Sequence, residues 1–172
     1  MPDKSFVLSD VLVSGLRVVF CGTAAGKASA AAKAYYAKPG NKFWRVLHEA
    51  GFTTLGRALL PEEYHRLPEF GLGLTDLCKK VSGNDDELSQ SDFDAGELRR
   101  KIELYQPAVL ALTSKKSGQM FFGEDVEFGW QPSPIGSTRI YILPSTSGAA
   151  NGSWKSHGHH WQSLANAVSE KL

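Results

Sequence analysis

Cysteine is almost missing from this chain, with two in 172 residues. Cys21 and Cys78 are too few for a disulfide framework and form no metal-ligand pair, so neither a stapled scaffold nor a thiolate metal site is expected. Long hydrophobic runs are missing as well. No stretch reaches the length of a membrane span, and no secretory leader is readable. These absences set the expectation of a cytoplasmic protein with no membrane partner. Net charge is also nearly absent: 19 Lys and Arg against 18 Asp and Glu give a formal +1, which by itself does not announce a nucleic-acid binder. No internal repeat and no linker composition interrupts the chain. Its 172 residues suffice for a real core, so one domain over 1–172 is expected.

What the chain does have is charge sorted by position. From Lys27 to Arg45 there are five basic residues and no acidic one, whereas Ser82 to Glu97 holds six acidic residues and no basic one. All but the last residue of the basic run lies inside the most informative stretch, Val18 to Trp44. It is introduced by Leu16–Gly22, LRVVFCG, an apolar β-branched run ending in glycine that reads as a buried strand delivering a turn. GTAAG follows, and Gly22 and Gly26 let the backbone approach something closely there. Tyr35 and Tyr36 interleave the lysines. Together these features suggest a pocket for a flat ring beside a polyanion. The plainer reading of the same residues is a strand, a loop and an Ala-rich helix with solvated lysines.

Taken in order, the chain alternates apolar strands with amphipathic helices. Residues 1–15 read as a polar arm with a short apolar contact at Val11 to Val13. Asn41 is a plausible N-cap for a helix carrying Phe43, Val46, Leu47 and Ala50, with Gly51 as its stop. Pro61 and Pro68 leave room for a short helix between them. Phe70 to Val81 reads as loop, short strand and exit. The acidic segment Asn84 to Asp94, with Asp85 and Asp86 solvated, leads into a helix capped by Asp92 and carrying Leu98, Ile102 and Tyr105. Ala108 to Thr113 is a second clear buried strand, Lys115 to Phe122 a helix, and Thr138 to Leu143 a third clear strand. Glu127 to Gln131 adds a short one. Pro144 to His160, rich in Ser, Gly, Asn and His, reads as loop, and Trp161, Leu164, Val168 and Leu172 share a helical face. The expected fold is a single-domain α/β three-layer sandwich with a mainly parallel four-stranded sheet flanked by helices. Ligands in such sheets collect at the carboxyl ends of the strands. Here those ends are Cys21–Gly26, Thr75–Asp76, Thr113–Lys115 and Pro144–Asn151.

The run from LRVVFCG through Gly22-x-x-x-Gly26, Ser29, Tyr36, Ala-x-Pro and Asn41-x-Phe-Trp resembles the first motif of the mismatch-specific uracil-DNA and thymine-DNA glycosylases, in the uracil-DNA glycosylase superfamily. GLGLTDL (Gly71–Leu77) and LPSTSG (Leu143–Gly148) add to the resemblance, the latter matching the second motif. It implies a monofunctional enzyme that takes uracil out of DNA after swinging the base from the duplex, with DNA as partner, no metal and no cofactor. A monomer is expected. It also implies a base pocket from Gly22, Thr23, Ala24, Ala25 and Gly26, with Ser29, Tyr36, Thr113 and Ser147. Tyr36 would stack on the base. Lys38, Asn41, Lys42 and Lys115 would meet the DNA backbone. Gly148, Ala149, Ala150 and Asn151 stand where the family inserts a wedge, here a blunt one.

One departure matters more than the rest. The family presents an asparagine at the position of Ala24 and a proline at that of Ala25. A methyl group can neither orient water nor hydrogen-bond a base. Asp76, at a strand end on the same rim, is the substitute this sequence offers, with Ser145 as a second contact. Turn capping is the alternative for Asp76, and solvent exposure the alternative for Lys115. His157, His159 and His160 read as loop histidines and not as a metal site. Loss of the asparagine also leaves open a non-catalytic binder of DNA or damaged bases, or an enzyme for another base such as hypoxanthine.

Overall fold

The computed structural model describes residues 6–80, 82–83 and 93–169. In chain order it has β1 (Val18–Ala24), α1 (Lys27–Ala32), α2 (Phe43–Ala50), a 3₁₀ helix (Pro61–Phe70), β2 (Leu72–Cys78), α3 (Ala95–Tyr105) and β3 (Val109–Leu112). Then follow α4 (Lys115–Phe122), β4 (Gly129–Trp130), β5 (Arg139–Ile142), a short 3₁₀ turn (Gly148–Ala150), α5 (Asn151–His157) and α6 (His159–Ser169). The strands form one sheet in the order β2-β1-β3-β5-β4, parallel throughout except for β4, which runs against β5. The four expected strands are therefore joined by a fifth, the two-residue β4 within the Glu127–Gln131 stretch.

Strand alternation divides the core into two unlike halves. Val18 and Phe20 point to one face, Val19 and Cys21 to the other. The first face is aromatic. Phe20 meets Phe43 and Phe52 edge-on at 5.6 and 5.4 Å and stacks on Trp161 at 5.7 Å, which fastens α2 and α6 to the sheet. Such pairs contribute about 0.5–1.5 kcal/mol each beyond the area they bury. The second face is aliphatic: Leu110, Leu112, Ile140 and Ile142 pack against Leu98 and Ile102 of α3 and Phe121 of α4. Both faces of β1 are covered, which is why its sequence is a continuous apolar run with no polar alternation.

Several expectations are corrected. β1 does not end at Cys21 but continues through Gly22 to Ala24, because β2 pairs with it as far as Ala24 opposite Cys78. Asp92 lies outside the described residues, and α3 is capped by Asp94, whose side chain accepts from the Glu97 N–H at 2.9 Å. The segment from Pro61 is a ten-residue 3₁₀ helix that runs through Pro68, not a short piece between the prolines. Asp85, Asp86 and Leu172 also fall outside the described residues. The histidine-rich stretch is helical: His157 ends α5 and His159 and His160 open α6, with His160 Nδ1 2.8 Å from the Tyr141 hydroxyl.

The N-terminal arm is the largest surprise. Beyond the Val11 contact, it lies along the edge strand β2 as an antiparallel partner, Val11 and Leu74 exchanging both backbone bonds at 2.9 and 3.0 Å, while Val7 N–H reaches Lys79 O at 2.7 Å. Gly73 permits this: a Cβ there would sit 2.4 Å from Val11 O. Leu8 is buried, whereas Val13 is 47% exposed, so the apolar contact is centred earlier than expected. Covering β2 in this way removes an unpaired sheet edge.

Candidate active site

A cleft of about 640 Å³ opens at the carboxyl ends of the parallel strands. The end of β1 and the turn after it line it with Gly22, Thr23, Ala24, Ala25 and Gly26. Ser29, Tyr36, Lys38 and Asn41 form one wall, Ser145, Ser147, Ala149 and Ala150 another, with Asp76 and Thr113 at the floor. Ser114 and Thr146 of the expected rim line it too, together with Leu8, Tyr35 and Gly83, which were not expected there. Four residues assigned to DNA contact do not line the cleft. Lys42 reaches across to Asn151 Oδ1 and sits 5.0 Å over the Trp154 ring. Lys115 stands 3.9 Å from Glu127 and 4.9 Å over Phe128. Gly148 packs toward Gly40, so that a Cβ on it would lie 3.7 Å from Gly40 O. With the Lys42 N–H donating to Thr146 O at 3.0 Å, the two rim loops are closed onto each other.

The floor is built around the missing side chain of Gly22. Register places Gly22 opposite Asp76 on β2, and a Cβ on Gly22 would fall 3.2 Å from Asp76 Oδ1, 3.3 Å from the Tyr36 hydroxyl and 3.5 Å from Thr113 Oγ1. Three polar groups from three elements thus converge on one spot. Asp76 stands inside a strand, not in a turn, which overturns the capping alternative. The Tyr36 ring stacks on Phe43 at 3.9 Å, so one face is taken and only the opposite face can serve a ligand. Its hydroxyl lies 3.2 Å from Thr113 Oγ1, which in turn donates to Cys21 O. Burial, reinforced by the Asp76 charge, pushes the Tyr36 phenol above its ordinary value and keeps it neutral.

Other residues shape the walls. Ser29 is buried and its hydroxyl accepts the Ala37 N–H at 3.0 Å, so it holds the loop that presents Tyr36. Lys42, not Asn41, is the N-cap of α2; Asn41 stands one residue earlier, where its Oδ1 accepts the Phe43 N–H at 2.9 Å and so still braces the first turn. Ser145 Oγ accepts from the Ser147 N–H at 3.1 Å, and Ser147 Oγ from Ala149 N–H at 3.3 Å, which fixes the second rim loop.

Behind the floor runs a buried chain of charges that sequence reasoning missed. Lys79 Nζ lies 3.5 Å from Asp76 Oδ2, 2.9 Å from Asp10 Oδ1 and 2.9 Å from the Tyr35 hydroxyl. Asp10 also accepts from Thr75 Oγ1 at 2.7 Å and, through Oδ2, from Lys101 Nζ at 2.6 Å. Burial alone would push both carboxyls up and the Lys79 ammonium down. At Asp10, Lys79, Lys101 and Thr75 outweigh burial and hold the carboxyl below its ordinary value. At Asp76 burial prevails over Lys79, and the carboxyl lies above its ordinary value. Asp76 and Asp10 together outweigh burial at Lys79 and keep it charged. A charged lysine is no nucleophile, and Lys79 does not line the cleft.

Residues 10–167 match the sequence model of the uracil DNA glycosylase superfamily. The chain belongs to that superfamily, a class of DNA glycosylases. Among solved structures it is similar to the solution NMR structure of a candidate uracil DNA glycosylase from Methanosarcina acetivorans, with a TM-score of 0.61 at 19% identity, over 94% of this chain and 96% of that one. At that identity the likeness is one of fold.

Proposed function

We propose that the protein is a monofunctional glycosylase of the mismatch-specific type that hydrolyses the N-glycosidic bond of uracil in DNA, acting as a monomer on duplex and single strands, with Asp76 as the general base. The observation that carries this reading is the Asp76 carboxylate at the floor of the cleft, with Oδ1 beside the gap that Gly22 leaves. A base swung out of the stack is held against the exposed face of Tyr36. Asp76 Oδ1 takes a proton from water as the water oxygen bonds to C1′ of the sugar. The C1′–N bond breaks and its electron pair leaves with the base. The same negative charge offsets the positive charge growing on the sugar. Burial raises the Asp76 carboxyl above its ordinary value, and a carboxylate so raised is a stronger base than an exposed one. Ala24 does no chemistry in this scheme, and Ser145 is left as a contact to the base or the water.

The test is incubation of excess protein with uracil-containing single- and double-stranded oligonucleotides, followed by alkaline cleavage at abasic sites. Strand cleavage at the uracil position is expected. The absence of the motif asparagine favours one competing reading, a binder that no longer cuts. Tight binding without excision of uracil, hypoxanthine or any other tested base would establish that reading instead.

A further inference from the structure

Lys79 has no part in the scheme above, yet each of its donors has an acceptor within reach. Its side chain is 7% exposed. An ammonium offers three N–H donors, and three acceptors stand around this one: Asp10 Oδ1 at 2.9 Å, Tyr35 Oη at 2.9 Å and Asp76 Oδ2 at 3.5 Å. The two oxygens of Asp76 are divided. Oδ2 faces the lysine, while Oδ1 faces the gap at Gly22. Asp10, in turn, belongs to the N-terminal arm and is fixed by Thr75 and Lys101. Charges alternate along the series Asp76, Lys79, Asp10, Lys101 and cancel in sum.

We propose that Lys79, held by Asp10 of the N-terminal arm, is a positioning residue that keeps the Asp76 carboxylate ionised and turns its Oδ1 toward the bound nucleotide. The arm is then part of the catalytic apparatus and not only a cover for the edge of the sheet. This rests on the reading of Asp76 as the base. A carboxylate as buried as Asp76 has two ways to relax when its cation is removed: it takes up a proton, or it rotates away. Either change disables it. The other titratable groups whose charge acts at or near Asp76 are Cys21 of β1, Tyr35 and Tyr36 after α1, Asp10 of the arm and Lys101 of α3. Burial holds Cys21 and both tyrosines neutral, so the balance at Asp76 falls to Asp10, Lys79 and Lys101.

Opposite signs at the two neighbours make the proposal testable. Lys79→Met leaves Asp76 with burial and the Asp10 charge, so the acid limb of the pH–rate profile for single-turnover uracil excision should move up by about one to three pH units. The rate should recover toward the parent's at high pH. Asp10→Asn removes the negative charge that opposes ionisation of Asp76, so the limb should move down. A purely structural role for the network predicts loss of stability in both variants with the limb unmoved. Limbs that stay in place, or move the same way in both variants, overturn the proposal. Should Lys79→Met fail to fold, Asp10→Asn decides alone: a downward shift supports it and an unmoved limb refutes it. A ¹³C NMR titration of the side-chain carboxyls without DNA, with Asp76 assigned through Asp76→Asn, reads the same two shifts independently of activity. Asp76→Asn also separates the two claims. A parent-like limb in that variant removes Asp76 as the base, while the carboxyl titration still reports whether Lys79 governs it.

Discussion

Two aspartates share one lysine in this molecule, and they are treated very differently. Asp10, on the arm, gathers Thr75 and Lys79 on one oxygen and Lys101 on the other. Asp76, in the sheet, has Lys79 at the longer distance of 3.5 Å on one oxygen and the cleft on the other. Asp76 is buried and the Asp10 side chain is 15% exposed, and burial pushes both carboxyls upward. At Asp10 the two cations win, and at Asp76 they do not. The difference separates the two carboxylates: the saturated one ties the arm to the sheet, and the under-coordinated one faces the cleft, which is the arrangement that the proposed base requires. It also gives the two opposite effects on stability. The folded value at Asp10 lies below the unfolded one, so its contribution is present above the ordinary carboxylate range and is lost as pH falls through the folded value. The folded value at Asp76 lies above the unfolded one, so stability is highest below the ordinary range and is lost as pH rises through the folded value.

The sharpest way to break the comparison is at Asp76. Asp76→Asn should lower single-turnover excision by about 10²–10⁴-fold, roughly 3–5 kcal/mol of barrier, while DNA affinity changes by no more than a few-fold. Excision at the parent's rate would reduce Asp76 to a packing residue and leave the water to main chain or Ser145. The same substitution should leave stability at pH 7 unchanged or higher, because burial at this position disfavours the carboxylate that it removes. Asp10→Ala should do the reverse. It strands Lys79 and Lys101 near each other in a buried site and should cost about 3–5 kcal/mol in urea unfolding. Equal losses from the two variants would mean that the aspartates do one job.

Much of the frame is legible in the sequence. Short apolar runs mark β1, β3 and β5, and Gly51 stops α2 as its position suggests, adopting φ 91°. The rim at the strand ends follows from the α/β alternation, and most of the residues that the motifs assign to the pocket do line one cleft. The charge network is not legible. Nothing in the spacing of Asp10, Lys79 and Lys101 announces that they meet, because their contact depends on the arm pairing with β2 through Gly73. The Cys-Lys-Lys at the end of β2 reads as a strand leaving for solvent. Composition also misleads at His157 to His160, where Ser, Gly, Asn and His suggest a loop but Trp154 and Trp161 anchor two helices to the aromatic core.

A middle-sized effect tests the aromatic side of the cleft. Tyr36→Ala should weaken handling of the flipped base by about 1–3 kcal/mol, the usual worth of stacking on an aromatic ring. Tyr36→Phe keeps the ring, so base handling should stay near the parent's. It removes the hydroxyl that meets Thr113, and unfolding should register a loss of about 0.5–1.5 kcal/mol. A Phe variant as impaired as the Ala variant in excision would assign the hydroxyl a part in the chemistry, beside Asp76 Oδ1.

The smallest effect extends the comparison from carboxylates to lysines. Lys79 and Lys101 are spent inside the fold, Lys42 is engaged with Asn151 and Trp154, and Lys115 lies beside Glu127 and Phe128. Lys38 is exposed and lines the mouth of the cleft. If commitment inside the fold decides which cations meet DNA, Lys38→Ala should lower the slope of log affinity against log salt by about one unit, the share of a single neutralised phosphate. Lys115→Ala should lower it by less, because that charge already has a partner on its own surface. Fluorescence anisotropy of a labelled duplex over a salt series measures both slopes. An unchanged slope in the Lys38 variant would move the DNA backbone away from this wall of the cleft. A larger drop for Lys115 than for Lys38 would show that surface pairing does not predict which lysines the DNA recruits.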